Sequence, residues 1–210
     1  MNTLFEQYMN LNIDTTWIGL EKREEMRYSC TLIGARIFGW DCGGLHYCFI
    51  DSFGEMVFAV NPENFGGPYV CPLARNFSDF LSMLLTYKTT NALHQIIIFE
   101  KEKFLSFFKL DSWKEYNNRQ EVVETLAVIQ KELNIVPMED PYDYVIELQK
   151  EFDHSKIRYV DEFYEQTGWE KPIEYLIWDK RGEGLCIFRQ TRMNQHDMLC
   201  MRYLQWRMYP

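Results

Sequence analysis

The chain has 210 residues, of which 47% are hydrophobic and 16% aromatic, and its formal net charge is −9. This composition supplies enough apolar side chains for a packed core and excludes an intrinsically disordered chain. Because a negatively charged surface repels phosphate backbones, we expect no nucleic-acid ligand. A basic protein is the better match in charge.

The N-terminal sequence, MNTLFEQYMNLNID, has neither the basic segment nor the long apolar run of a secretory signal. The densest apolar run, residues 95–99, is far shorter than the roughly 18–20 residues that a membrane-spanning helix requires. We therefore expect a soluble cytoplasmic protein without membrane contact. Its six cysteines should stay reduced and serve as small apolar core residues.

The first part of the chain predicts a short helix and then strands. Apolar residues recur at helical spacing through residues 4–11. Residues 28–40 (YSCTLIGARIFGW) predict one or two strands, with Gly34 and Gly39 at a turn or a bulge.

A β-hairpin is predicted next. Residues 45–50 and 56–60 are rich in aromatic and β-branched side chains, and residues 51–54 between them have the composition of a turn. A loop rich in Gly, Pro and Asn follows at 61–72, in which residues 69–71 are a candidate for another short strand.

The clearest helix signal follows this loop. Asn76 can cap a helix, and Asp79 falls in the first turn, where the helix dipole favours an anion. One continuous apolar stripe is formed by Phe77, Phe80, Leu81, Leu84 and Leu85. This helix should pack on one face of the hairpin sheet. Residues 95–99 fit either a strand or a buried helical turn.

The composition changes at residues 111–119 (DSWKEYNNR), where we place a boundary between two halves, 1–115 and 116–210. These halves can share one core. A helix that ends before Pro137 is predicted by the spacing of Val122, Val123, Leu126, Ile129 and Leu133. Asp140 followed by Pro141 is typical of the start of the next helix.

The remaining residues predict a short helix, a hairpin and a last helix. The short helix covers residues 161–166 and ends near Gly168. Residues 173–178 and 185–188 predict two paired strands, and residues 194–208 are expected to be helical. The fold class is therefore α+β, a mostly antiparallel sheet with helices on one face plus a C-terminal half of helices and a hairpin.

Cysteine and histidine side chains cluster at Cys42, His46 and Cys48, and both are zinc ligands. The spacing is not that of a zinc knuckle, and a fourth ligand would have to come from far along the chain. A partly buried histidine beside core cysteines is the better interpretation, so we predict neither a metal nor a cofactor.

No pattern in the sequence predicts catalysis. Paired glycines at 43–44 and 66–67 lack the spacing of a phosphate-binding loop and are interpreted as turn residues. The histidines lie far apart in the sequence, at His46, His94, His154 and His196. None is near a recognisable nucleophile motif. We therefore expect no enzyme activity.

Acidic residues are concentrated at 139–165, where nine Asp and Glu stand against three Lys and Arg. The simple interpretation is the solvated outer face of two helices. The alternative is a surface with aromatic anchors that attracts and holds a basic protein. The candidate protein-binding residues are Asp140, Asp143, Tyr144, Glu147, Glu151, Asp153, Glu162 and Glu165.

Residues 43–85, GGLHYCFIDSFGEMVFAVNPENFGGPYVCPLARNFSDFLSMLL, resemble the SMI1/KNR4 domain of the SUKH superfamily. The shared pattern is a strand led by glycine, a second strand close to VFAVNPEN, and a loop before the amphipathic helix NFSDFLSMLL. The similarity covers roughly residues 33–110. It implies an α+β domain that acts by binding, since bacterial members are immunity proteins against toxins, often nucleases, and fungal relatives are scaffolds in cell-wall regulation.

The leading hypothesis is a non-enzymatic protein-binding module, an immunity protein whose partner is a basic toxin or another protein. One alternative is an enzyme or small-molecule binder with a pocket between sheet and helices, lined by His46 and tyrosines. Another is a cell-wall-related regulatory scaffold without a toxin partner. Whether the chain forms a homo-oligomer is left open.

Overall fold

The computed structural model describes residues 3–23, 27–64 and 68–171, together with the backbone of two strands at 173–178 and 184–189. The strands are β1 (Ala35–Trp40), β2 (His46–Ile50), β3 (Val57–Val60), β4 (Val70–Ala74), β5 (Ile173–Trp178) and β6 (Gly184–Arg189). The helices are α1 (Leu4–Met9), α2 (Phe77–Tyr87), α3 (Thr90–Ile98), α4 (Lys101–Phe107), α5 (Asp111–Asn117), α6 (Gln120–Leu133), α7 (Pro141–Glu151) and α8 (Asp161–Thr167). Single 3-10 turns lie at Thr16–Ile18, Asp51–Phe53 and His154–Lys156.

Strands β1 to β4 form an antiparallel sheet in the order β1-β2-β3-β4. The α+β class and the predicted hairpin of β2 and β3 are therefore confirmed. Residues 28–40 contain one strand, β1, whose pairing with β2 shifts register between Ile37 and Gly39, so the predicted irregularity at Gly39 is a bulge. The chain before β1 also extends the sheet, because Glu21 and Trp40 exchange two backbone hydrogen bonds of 2.8 and 3.0 Å.

Helix α2 confirms the strongest local prediction. The Asn76 side chain accepts a hydrogen bond from the backbone N–H of Asp79 at 2.9 Å, and all five residues of the predicted apolar stripe are buried. The Phe77 ring contacts Phe38 of β1 and Phe49 of β2. Phe5 of the predicted helix α1 packs edge-to-face against the same three rings. Helices α1 and α2 therefore cover one face of the sheet.

This core continues across the predicted boundary at 115–116. Val122 and Ile129 of α6 and Val145 of α7 belong to the same buried cluster as Tyr8 and Phe77. Residues from both predicted halves thus contribute to one core, while the division into two domains stays a prediction. The open choice for residues 95–99 is resolved, since α3 is a helix that ends at Ile98.

The second face of the sheet is also covered. Cys48 and Phe58 of the central strands lie in another buried cluster with Ile157, Tyr159 and Phe163, the last of which belongs to α8. The prediction of helices on one face was therefore incomplete. All residues of β2 and β3 are buried, as in strands that are covered on both faces and lack apolar–polar alternation.

Helix α7 starts where predicted, and the side chain of Asp140 accepts a hydrogen bond from the N–H of Asp143. Helix α8 also ends near the predicted residue, since Gly168 follows it in a left-handed conformation. Strands β5 and β6 pair antiparallel from Ile173 opposite Arg189 to Trp178 opposite Gly184. The turn at 179–183 and the helix predicted at 194–208 lie outside the described residues. In the part of the chain that is described, no helix is both long and apolar enough to cross a membrane.

Candidate functional site

The predicted acidic residues lie on α7, α8 and the turn after α7. Asp143, Glu147 and Glu151 follow one another at four-residue intervals on the exposed side of α7, and Asp140 caps that helix. Asp153 begins the turn after α7, while Glu162 and Glu165 are exposed on α8. We call these seven carboxylates the acidic surface. The structure brings four of them together on α7 and places two on a separate short helix.

Several of these carboxylates already have basic partners from distant parts of the chain. The Lys101 ammonium lies 3.0 Å from Asp140 and 2.6 Å from Asp143, and the Arg75 guanidinium lies 2.6 Å from Glu151. Such solvent-exposed pairs stabilise the fold little and rearrange easily. The count over residues 139–165 therefore overstated the uncompensated charge, because the compensating side chains lie outside that window.

Three carboxylates of the acidic surface have no ion pair within the residues that the structure describes. These are Glu147 on α7 and Glu162 and Glu165 on α8, and all three are exposed. Glu162 accepts one hydrogen bond, from the Gln166 amide at 2.7 Å. The free negative charge of the acidic surface therefore depends chiefly on these three residues.

Tyr144 differs from the other predicted site residues because it is half-buried and hydrogen-bonded within the fold. Its hydroxyl donates to Asp79 Oδ2 at 2.7 Å and accepts the backbone N–H of Arg75 at 2.8 Å. Burial raises the pKa of Tyr144 to about 12. This side chain fastens α7 to the start of α2, and its contact with a partner stays a prediction.

His46 is a buried core residue with both ring nitrogens satisfied. Its ring lies 4.4 Å from the Trp40 ring and is stacked 6.0 Å from Tyr28. Nδ1 lies 3.1 Å from the Gly44 carbonyl oxygen, and Nε2 lies 3.3 Å from the Thr31 hydroxyl. Because burial lowers the pKa of His46 to about 4, the ring stays neutral at physiological pH.

The two cysteines of the zinc site weighed from the sequence, Cys42 and Cys48, have different surroundings. Cys48 is buried among the side chains on the second face of the sheet, whereas Cys42 is exposed. In the described ranges, no group of three or more His, Cys, Asp or Glu is placed to hold a metal ion. The Gly43 N–H is also occupied, since it donates to Asp41 Oδ1 at 2.9 Å in a turn.

A pocket of about 480 Å³ lies where four segments meet: the turn at Thr16–Ile18, the end of β1, the start of α3, and α5. Trp17, Trp113 and Tyr116 contribute aromatic side chains, and Glu21 and Asp41 contribute carboxylates. Trp40, Cys42, Gly19 and several hydroxyl and amide side chains complete the lining. The expected pocket residue His46 does not line it, whereas one tyrosine does. Because its lining comes from segments up to a hundred residues apart, no local sequence signal could reveal it.

Asp41 is held at this pocket by the backbone. Its Oδ1 accepts hydrogen bonds from the N–H groups of Gly43 and Leu45, both at 2.9 Å. Burial nevertheless raises the pKa of Asp41, because desolvation outweighs these bonds. Glu21 is paired with Arg23. The pocket thus combines aromatic rings with one fixed and partly desolvated carboxylate.

No family model matches this chain, and no curated protein or solved structure is significantly similar to it. The class that the geometry defines is an α+β protein with a four-stranded antiparallel sheet that is covered on both faces. The resemblance of residues 43–85 to the SMI1/KNR4 domain stays a prediction from the sequence.

Proposed function

We propose that this chain is a non-enzymatic protein-binding module, an SMI1/KNR4-like immunity protein that neutralises a basic toxin such as a nuclease by direct contact. The observation that carries the proposal is the acidic surface, on which Glu147, Glu162 and Glu165 are exposed and have no ion pair among the described residues. The resemblance of residues 43–85 to a family of binding domains supports the same conclusion.

The acidic surface suits this function for two physical reasons. Its field attracts a basic partner over about one Debye length, roughly 8–10 Å at moderate salt. Lysine and arginine side chains of the partner can then pair with the free carboxylates, and exchange with Lys101 and Arg75 costs little because those pairs are exposed. We expect an interface of about 800 Å² on each partner.

The first experiment is to capture partners with the tagged protein and elute them in a salt gradient. We expect a basic protein to elute at moderate salt. Replacing Glu147, Glu162 and Glu165 by glutamine should weaken that complex at least about tenfold. The matched control replaces Glu102, Glu115 and Glu121, three exposed glutamates on other helices, by glutamine.

Equal weakening by both triple variants would show that only net charge matters and would refute the acidic surface as the contact. A complex that neither salt nor the acidic-surface variant weakens would refute the electrostatic mechanism. A toxin encoded beside the gene would favour immunity over the regulatory scaffold.

A second candidate function is small-molecule binding, and the pocket at α5 is the observation that favours it. Its volume of about 480 Å³ falls in the usual range for ligand sites. A small molecule that is retained in native mass spectrometry, with no protein captured, would favour this candidate over the binding module.

A further inference from the structure

The described side chains that line the pocket at α5 include acidic residues and no basic ones. Its described lining contains the carboxylates of Glu21 and Asp41 and no lysine, arginine or histidine. Asp41 cannot turn away from the pocket without giving up its hydrogen bonds to two backbone N–H groups. Because Arg23 already pairs with Glu21, Asp41 is the lining carboxylate that can act as a fixed counter-charge for a positively charged ligand.

The aromatic side chains of the pocket are suited to a cation with an apolar body. The faces of tryptophan and tyrosine rings attract ammonium and guanidinium groups within about 6 Å of the ring centroid. An arginine of the chain itself already makes such a contact with two of the lining rings. The Arg119 guanidinium lies 5.3 Å from the centroid of Trp17 and 5.1 Å from that of Tyr116.

Two polar atoms of α5 are buried and have no hydrogen-bond partner among the residues that the structure describes. They are the indole nitrogen Nε1 of Trp113, a donor, and the amide oxygen Oδ1 of Asn117, an acceptor, and both residues line the pocket. They lie one helical turn apart. A buried polar atom without a partner costs free energy, so these two atoms make the α5 side of the pocket less stable than a fully hydrogen-bonded one would be.

We propose that this pocket binds an organic cation, an ammonium or guanidinium-type group carried on a small apolar or aromatic body. The carboxylate of Asp41 neutralises the charge, and the rings of Trp17, Trp113 and Tyr116 enclose the body. This site is separate from the acidic surface and does not depend on the function proposed for it.

The test uses two series of probes, and within each series the shape stays the same while the charge is positive, neutral or negative. Benzamidinium, benzamide and benzoate form a planar series. Choline, 3,3-dimethylbutan-1-ol and 3,3-dimethylbutanoate form a rounded one. Isothermal titration calorimetry should show that at least one cation binds about tenfold more tightly than its neutral isostere, and that its anionic isostere binds no better than the neutral one. The proposal fails if neither cation is preferred in its series at concentrations up to about 10 mM.

The variant D41N then locates the charge effect. Its side-chain oxygen still accepts the N–H groups of Gly43 and Leu45, so the turn is retained while the charge is lost. Affinity for the cation should fall about tenfold, with the neutral isostere unaffected. The control E147Q removes the same charge from the acidic surface. An equal loss in both variants would refute Asp41 as the counter-charge, and the probe series on the unmodified protein stands independently of either variant.

Discussion

The contact between Gly19 and Thr90 offers a sharp test of the packing around the pocket. Gly19 has a left-handed backbone with φ +78°, and its carbonyl oxygen accepts a 2.9 Å hydrogen bond from the buried Thr90 hydroxyl. A Cβ at position 19 would lie only 2.2 Å from Thr90 Oγ1. The substitution Gly19→Ala therefore adds a steric clash to the strain of a left-handed alanine.

The matched control is Gly168→Ala. Gly168 has a similar left-handed conformation, with φ +69°, and nothing lies within 4 Å of its added Cβ. Backbone strain should lower the free energy of unfolding of both variants by about 1–2 kcal/mol. In Gly19→Ala, the free energy of unfolding should fall by about 2–4 kcal/mol more. The lost Thr90 hydrogen bond accounts for about 1 kcal/mol of this, and overpacking against a buried side chain accounts for about 1–3 kcal/mol.

Urea unfolding followed by tryptophan fluorescence measures these differences in the free energy of unfolding. In a Thr90→Ala background, the cost of Gly19→Ala should fall to that of the strain alone, because the clashing hydroxyl is gone. The predicted clash with Thr90 is wrong if Gly19→Ala and Gly168→Ala lower the free energy of unfolding by amounts that agree within about 0.5 kcal/mol. It is also wrong if the cost of Gly19→Ala stays the same in the Thr90→Ala background.

Three other predictions follow from the surroundings of single side chains. Burial lowers the pKa of both His46 and His94 to about 4, so the unfolded chain binds more protons and stability should fall as the pH drops from about 6.5 to 4. NMR titration should find both rings neutral at pH 6, and a midpoint near 6.5 for either would contradict the assignment. Asn76→Ala removes the α2 cap and should cost about 1 kcal/mol in urea unfolding, against little change for Ser78→Ala at an exposed position of the same turn. Cys42 is the one exposed cysteine within the described ranges. With the two cysteines beyond residue 171 replaced by serine, one thiol should react rapidly with a disulfide reagent, and Cys42→Ser should abolish that fast phase.

Local signals in the sequence were sufficient for the starts of α2 and α7, the end of α8 and the central hairpin. Asn76 caps α2 and Asp140 caps α7, because a side-chain oxygen beside an unpaired backbone N–H acts within three residues. In a sheet with one solvated face, apolar and polar residues alternate along each strand, but β2 and β3 lack this alternation. That feature indicates burial on both faces, although the sequence does not say which later segment covers the second face.

The features of the candidate sites that escaped prediction all depend on residues distant in the sequence. Lys101 pairs with Asp143 and Arg75 with Glu151, over 42 and 76 residues respectively. These pairs change which carboxylates of the acidic surface are free. The pocket likewise draws on segments from Thr16 to Asn117. Contacts of this kind follow from the tertiary arrangement and leave no periodic pattern in the chain.

Four of the seven carboxylates of the acidic surface lie on α7, a helix that the fold holds firmly. Gln149 of α7 donates a hydrogen bond to the carbonyl oxygen of Pro72 in β4, the edge strand of the sheet, and Tyr144 connects the same helix to Asp79 and Arg75. The inner side of α7 thus protects a sheet edge that could otherwise pair with another chain. Its outer side presents carboxylates on a helical backbone that is already ordered, which lowers the entropic cost of association. Substitutions on the outer side should therefore change binding without changing stability, whereas substitutions on the inner side should change both.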